Sequence, residues 1–107
     1  LPDEDFGEKG SVYAKFFATE KATLPGLKKM AKVANAVVIP MFPIYNAEKG
    51  MYQIEILPQI EFDDTPEQSA REMNRVIEYF VSKNPEQYVW ILRLLKTRRD
   101  GEDIYKR

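Results

Sequence analysis

Hydrophobic and polar positions alternate along this chain in a way that changes period several times. Residues 1–10 are polar, acidic and glycine-containing, which predicts a loop. Residues 11–17 (SVYAKFF) carry Val, Tyr and Phe in a short run that predicts a strand. Residues 18–23 read as a connection. Thr23 can then cap a helix that carries Leu27, Met30, Ala31 and Ala34, with Pro25 in its first turn and Lys28, Lys29 and Lys32 on its outer side. Asn35 ends it. Residues 36–42 (AVVIPMF) are apolar and β-branched with no polar alternation, which predicts a strand buried on both faces. Pro40 cannot donate to a ladder and implies a strand end, a bulge or an edge there. Residues 46–50 (NAEKG) are a turn, and residues 51–57 (MYQIEIL) alternate as a strand, so the pair forms a hairpin.

The clearest helix opens at Thr65-Pro66-Glu67-Gln68, with Thr65 as N-cap, Pro66 as the first helical residue and Gln68 as capping-box partner. Ala70, Met73, Ile77, Phe80 and Val81 mark its buried face. Asn84-Pro85-Glu86-Gln87 repeats that cap chemistry and predicts a last helix carrying Tyr88, Ile91, Leu92 and Leu95, with Val89, Trp90 and Leu94 widening its apolar surface. The predicted order is βα(ββ)αα. The expected class is α/β: a small mixed sheet with flanking helices, the first two strands joined by a right-handed crossover. Apolar on both faces, residues 36–42 call for cover that one small chain supplies only in part. An uncovered edge, with self-association, is the expected consequence.

Composition sharpens this picture. The chain has 107 residues, enough for one small domain, with 44% hydrophobic and 31% charged residues, as in a globular fold. It has no cysteine, which leaves no disulfide framework or thiolate metal site and leaves the redox compartment open. It has no histidine, which removes the commonest general base, the commonest metal ligand and any Ser-His triad. No metal is expected. A net charge of −1 does not suggest a nucleic-acid binder, although residues 93–107 are locally basic and can face anionic lipid, an acidic partner or simply solvent. No apolar run reaches the roughly 18 residues of a membrane span. The acidic opening does not look like a signal peptide. A motif at the first residues, with no initiator Met, suggests a segment of a longer protein.

Four motifs carry a family resemblance. Leu1-Pro2-Asp3-Glu4-Asp5-Phe6-Gly7 resembles the Pro-Asp-x-Asp-x-Gly motif of the late (secondary) lipid A acyltransferases. Phe16-Phe17-Ala18-Thr19-Glu20-Lys21-Ala22-Thr23 resembles their FFxxxxAT segment. Val38-Ile39-Pro40-Met41-Phe42-Pro43 is similar to the VVP strand of the wider glycerolipid acyltransferase superfamily. Pro85-Glu86-Gln87-Tyr88, Trp90 and Leu94-Leu95-Lys96-Thr97-Arg98 resemble the PEQYxWxxxxxKTR signature. The KTR stretch and Phe42-Pro43-Ile44-Tyr45 look closest to the myristoyl-type branch. PEQY with Trp and KTR is fairly specific, and the four in order are more so.

The resemblance implies that the 107 residues are the C-terminal segment of a single acyltransferase domain with a glycerolipid-acyltransferase-like fold. It implies a lipopolysaccharide-biosynthesis enzyme at the cytoplasmic face of the inner membrane of Gram-negative bacteria. That enzyme moves a fatty acyl chain from acyl carrier protein to the hydroxyl of a 3-hydroxyacyl chain on a lipid A precursor, without a separate cofactor. The family's HxxxxD/E motif supplies a His base that has no counterpart here, so the chain alone is expected to be inactive. Each candidate site residue has a plain structural alternative. Asp3 and Asp5 can orient the acceptor or a basic neighbour, or form a solvated acidic turn. Lys21 and Thr23 flank the predicted helix start, where a phosphate of lipid A or of the carrier's arm can bind; the alternative is an ordinary cap with an exposed Lys. Arg98, with Arg99, can donate to lipid phosphates or belong to a solvated terminus. Pro40 and Pro43 shape the backbone, and Tyr88 and Trp90 pack or meet an acyl chain. A free-standing α/β module that binds acyl carrier protein or anionic lipid is the alternative function.

Overall fold

The computed structural model describes residues 5–62, 65–88, 95–102 and Tyr105. It contains β1 (Val12–Phe16), β2 (Thr19–Thr23), α1 (Gly26–Ala34), β3 (Met41–Asn46), β4 (Met51–Ile56), α2 (Pro66–Lys83) and a 3₁₀ turn at Pro85–Gln87. The α/β class is as expected. The strands, however, form two antiparallel hairpins, β1–β2 and β3–β4, with no parallel pair among the described residues.

The first correction lies at β2. Residues 18–23, expected as a connection, turn back at Phe17 and Ala18 and pair with β1 in register from Val12↔Thr23 to Phe16↔Thr19. Phe17 takes a positive φ of 52° to close the loop, and its N–H donates to the Glu78 carboxylate on α2. Thr23 therefore ends a strand and is not a helix cap. α1 begins later, at Gly26, with Pro25 at the cap position and no side-chain cap bond. The polarity of the TEKAT run hid this strand, because its inward side chains are satisfied by a helix rather than by water.

α2 is the pillar of the fold, and the sequence predicts it well. Thr65 accepts from the Gln68 N–H at 3.2 Å, Pro66 starts the helix, and Ala70, Met73, Ile77, Phe80 and Val81 are buried. Phe16 from β1 joins Met73, Ile77, Phe80 and Val81 in the core, with Leu27, Phe42, Ile44, Tyr88 and Leu95 packed around it. Arg71 fixes the helix to the first hairpin, donating to the Lys15 carbonyl at 3.0 Å while its guanidinium pairs with Glu78 at 2.6 Å.

The second correction concerns residues 36–42. The strand begins only at Met41, although Ile60 N–H to Val38 O (2.9 Å) and Leu57 N–H to Pro40 O (3.0 Å) extend the alignment backwards. From residue 37 to residue 46 every even position is at least half-buried and every odd position is exposed. Phe42 stacks on Phe80 with centroids 4.6 Å apart, whereas Val37 and Ile39 are 61% and 50% exposed. Apolar residues on both faces do not by themselves bury both faces. Here only one faces α2.

The third correction is at residue 84. The cap chemistry of Asn84-Pro85 yields a single 3₁₀ turn, and Tyr88 is already extended. The side chains expected to continue that helix, at residues 89–94, lie outside the described residues. Gln87 is used otherwise. Its side-chain amide accepts from Tyr45 N–H at 2.9 Å and donates to Tyr45 O at 3.1 Å, as a neighbouring strand would. The N–H and C=O of Tyr45 thus point away from β4. Pro43, two residues earlier, presents its nitrogen to the same outer side, so the ladder loses nothing at the proline.

Candidate functional site

Asp5 sits at the end of the first motif and is half-buried. One carboxylate oxygen accepts from Gly7 N–H at 2.9 Å, and the other accepts from Thr97 N–H at 2.7 Å, across 92 positions of sequence. Partial burial pushes this carboxyl up, but the hydrogen bonds from Thr97 and Gly7 and the charge of Lys96 outweigh it and hold it below the usual carboxylate range. The first motif and the KTR stretch therefore meet in one place. Gly7 permits the loop's geometry, with a φ of 92°. Asp3 lies outside the described residues.

The KTR stretch covers the outer face of the β1–β2 hairpin. Arg99 pairs with Glu20 at 3.1 Å and lies over the Tyr13 ring at 5.1 Å, while Ala22 on that face is 1% exposed. Arg98 has a side chain 23% exposed, with Asp100 its ion-pair partner at 3.7 Å. So three of the four motifs converge on one hairpin. Nothing in their spacing along the chain foretells that contact.

Lys21 and Thr23 point inward, onto α2. Both are fully buried, as is Asn74, and Ser69 is nearly so. Asn74 donates to Thr23 Oγ1 at 3.1 Å and to the Lys15 carbonyl at 3.2 Å. Thr23 in turn donates to Lys21 O at 3.1 Å. The Lys21 ammonium lies 3.5 Å from the Ala22 carbonyl oxygen. This polar layer was missed at Asn74, although the signal was there: position 74 falls four after Ala70 and three before Ile77, inside the apolar stripe. Neither Lys21 nor Thr23 stands at a helix N-terminus.

An apolar cavity of about 410 Å³ opens between α2 and the segment leading into β3, lined by Val38, Pro40, Phe42, Met73, Ile77 and Phe80 among others. The third motif thus forms one wall of a space suited to hydrocarbon. Among the described residues no group of three acidic side chains is placed to hold a metal ion. No helix there is long and apolar enough to cross a membrane.

Comparison with known proteins adds to this geometry. Residues 1–97 match the family model for bacterial lipid A biosynthesis acyltransferases. The chain is 67% identical to a lipid A biosynthesis acyltransferase of Haemophilus influenzae, over 98% of this chain and 33% of the relative. It is 47% identical to the lipid A biosynthesis myristoyltransferase of Escherichia coli, over 100% of this chain and 34% of the relative. The lauroyltransferase of the same organism is more distant, at 36% identity over 94% of this chain and 34% of the relative. No solved structure matches. The chain spans about a third of the length of the curated relatives it matches. Four motifs in order, three of them gathered on one hairpin, and a family match over nearly all of its length agree: the chain belongs to the bacterial lipid A biosynthesis acyltransferase family.

Proposed function

We propose that this chain works as part of an enzyme that moves a fatty acyl chain from acyl carrier protein to the hydroxyl of a 3-hydroxyacyl group on a lipid A precursor. The reaction takes place at the cytoplasmic face of the inner membrane and uses no cofactor beyond the donor's own carrier arm. The observation that carries this reading is the bond from Thr97 N–H to the Asp5 carboxylate, which joins the first motif to the KTR stretch beside the hairpin that Arg99 contacts.

In such a transfer the acceptor hydroxyl loses its proton as its oxygen attacks the thioester carbonyl, and the carrier thiol leaves. A base must take that proton. This chain has no histidine, so the base of the family's HxxxxD/E motif comes from another part of the enzyme. Residues here then serve orientation. Asp5 ties the end of the first motif to Thr97, and Asp3 of the same motif positions the acceptor or a basic partner. The apolar cavity beside Phe42 takes acyl chain. The lower similarity to the lauroyltransferase supports a myristoyl-type donor.

The test is a chimera in which these 107 residues replace the matching third of the Haemophilus influenzae relative. With labelled acyl carrier protein and a lipid A precursor, the chimera should transfer acyl groups and the isolated chain should not. Asp3→Asn in the chimera should slow turnover about tenfold or more without lowering protein yield. Transfer by the isolated chain above a boiled control would overturn the location of the base. A folded chimera that transfers nothing would overturn the reaction.

A further inference from the structure

Beside the loop of the β1–β2 hairpin lies a cleft of about 700 Å³, lined by Lys15, Thr19, Glu20, Arg98, Arg99 and Asp100. Its charges are not evenly matched. Arg99 and Glu20 are committed to each other at 3.1 Å. Asp100 accepts from Glu102 N–H at 3.0 Å and stands 3.7 Å from Arg98, beyond hydrogen-bond distance. Arg98 Nε is buried and has no hydrogen-bond partner among the described residues. Lys15 forms no ion pair among them. The cleft therefore offers a guanidinium and an ammonium with donors to spare, beside a threonine hydroxyl. A buried donor without an acceptor is costly, and an arginine is the donor that best matches a planar or tetrahedral oxyanion.

We propose that this cleft binds a phosphomonoester, with Arg98 as the principal donor, Lys15 as the second positive charge and Thr19 at the rim. A phosphomonoester carries between one and two negative charges near neutral pH and three acceptor oxygens. That matches a cleft whose three cations, Lys15, Arg98 and Arg99, outnumber its two carboxylates, Glu20 and Asp100, and in which Asp100 leaves Arg98 Nε without a hydrogen bond among the described residues. The inference rests on the acyl-transfer reading for its choice of ligand, because lipid A carries phosphates. The chemistry of the cleft is equally suited to free phosphate, so the two sources must be told apart.

The experiment follows the ¹⁵N-labelled chain by NMR as inorganic phosphate is added, against chloride at matched ionic strength. Saturable shifts are expected at Arg98 Nε–H and at the Ala18 and Thr19 amides. Arg98→Gln should weaken binding at least about tenfold. Arg98→Lys should recover part of it, and Arg75→Gln on the outer side of α2 should change nothing. Unaltered α2 amide signals show that each variant is folded. Absence of saturation, or equal affinity in Arg98→Gln, overturns the proposal. In a second arm, vesicles of phosphatidic acid, a monoester, are compared with phosphatidylglycerol, a diester. Sedimentation with the first alone, lost in Arg98→Gln, assigns the site to a lipid headgroup. Phosphate binding without sedimentation assigns it to a soluble phosphate. Equal sedimentation with both vesicles, indifferent to Arg98→Gln, overturns it. Phosphate binding by the chain beside an inert but folded chimera sinks the acyl-transfer reading and leaves the cleft standing. An active chimera beside a chain that ignores phosphate does the reverse.

Discussion

Replacing Asp5 with alanine removes the acceptor that ties residues 5–7 to residue 97. Two backbone N–H groups lose an ionised partner. Each such bond is worth about 1.5 to 3 kcal/mol net when well shielded, and less here because Asp5 is half-exposed and water can replace it. A total of about 2 kcal/mol is the reasonable expectation. With a urea slope of about 1 to 2 kcal/mol per molar for a chain of this size, the unfolding midpoint should fall by about 1 to 2 M. Asn at position 5 keeps one acceptor but turns an amide NH₂ toward the other N–H, so it should cost at least half as much. The sign of the pH dependence follows from the depressed folded value of the Asp5 carboxyl. Its stabilisation is complete above the unfolded value of about 3.9 and is lost as pH falls through the lower folded value. The gap between wild type and Asp5→Ala should therefore be wide at pH 7 and narrow as the medium is acidified below about pH 4. A gap under about half a kcal/mol at pH 7, or one that does not change on acidification, would refute the assignment of Asp5 as the tie between the two motifs.

Asn74→Ala should cost about 2 to 3 kcal/mol by denaturation, since it empties a fully buried site and strips a donor from Thr23 and from the Lys15 carbonyl. The pair Asn74→Leu with Thr23→Val should recover much of that loss, because it removes both partners, and no recovery would argue against the hydrogen bond as the cause. Thr65→Ala should lower stability by about 1 kcal/mol and leave the fold unchanged, as judged by far-ultraviolet circular dichroism and a thermal melt. The chain should associate with itself at high concentration through its exposed apolar hairpin face, where Tyr52, Ile54 and Ile56 are 71%, 62% and 63% exposed. Sedimentation should show that Ile54→Lys shifts it towards monomer, and a clean monomer in the unaltered chain would refute this.

How much of this was legible in the sequence depends on whether local chemistry decides the outcome. Thr65-Pro66 and the stripe from Ala70 to Val81 state their own helix, and the structure agrees residue by residue. Asn84-Pro85 carries the same cap signal, yet over residues 85–88, the part of that helix among the described residues, the chain makes a 3₁₀ turn and then extends, with Gln87 bound to the backbone of Tyr45. That is a tertiary contact, and no local pattern contains it. β2 was unreadable for a related reason: Lys21 and Thr23 look solvent-facing until α2 covers them, with Asn74 bonded to Thr23. In residues 37–42 the period-two alternation exists in space but not in residue type, since both faces are apolar. The site is the extreme case. Asp5 and Thr97 were recognisable as members of two motifs, but their contact spans nearly the whole chain.

The pairing of Gln87 with Tyr45 also decides where another polypeptide can attach. A strand seeking the outer rim of β3 finds Tyr45 already occupied on both its donor and its acceptor. Two residues back it meets Pro43, which has no donor to offer. That half of the rim is closed to zippering. Ahead of Met41 the backbone of Val37 and Ile39 has no such guard among the described residues, and its side chains are apolar. Any extension of this hairpin into a wider sheet, whether by another part of the same enzyme or by an unwanted neighbour during expression, is therefore steered to that end. A lysine or proline placed at Ile39 would act there as the gatekeeper that Pro43 and Gln87 already are at the other.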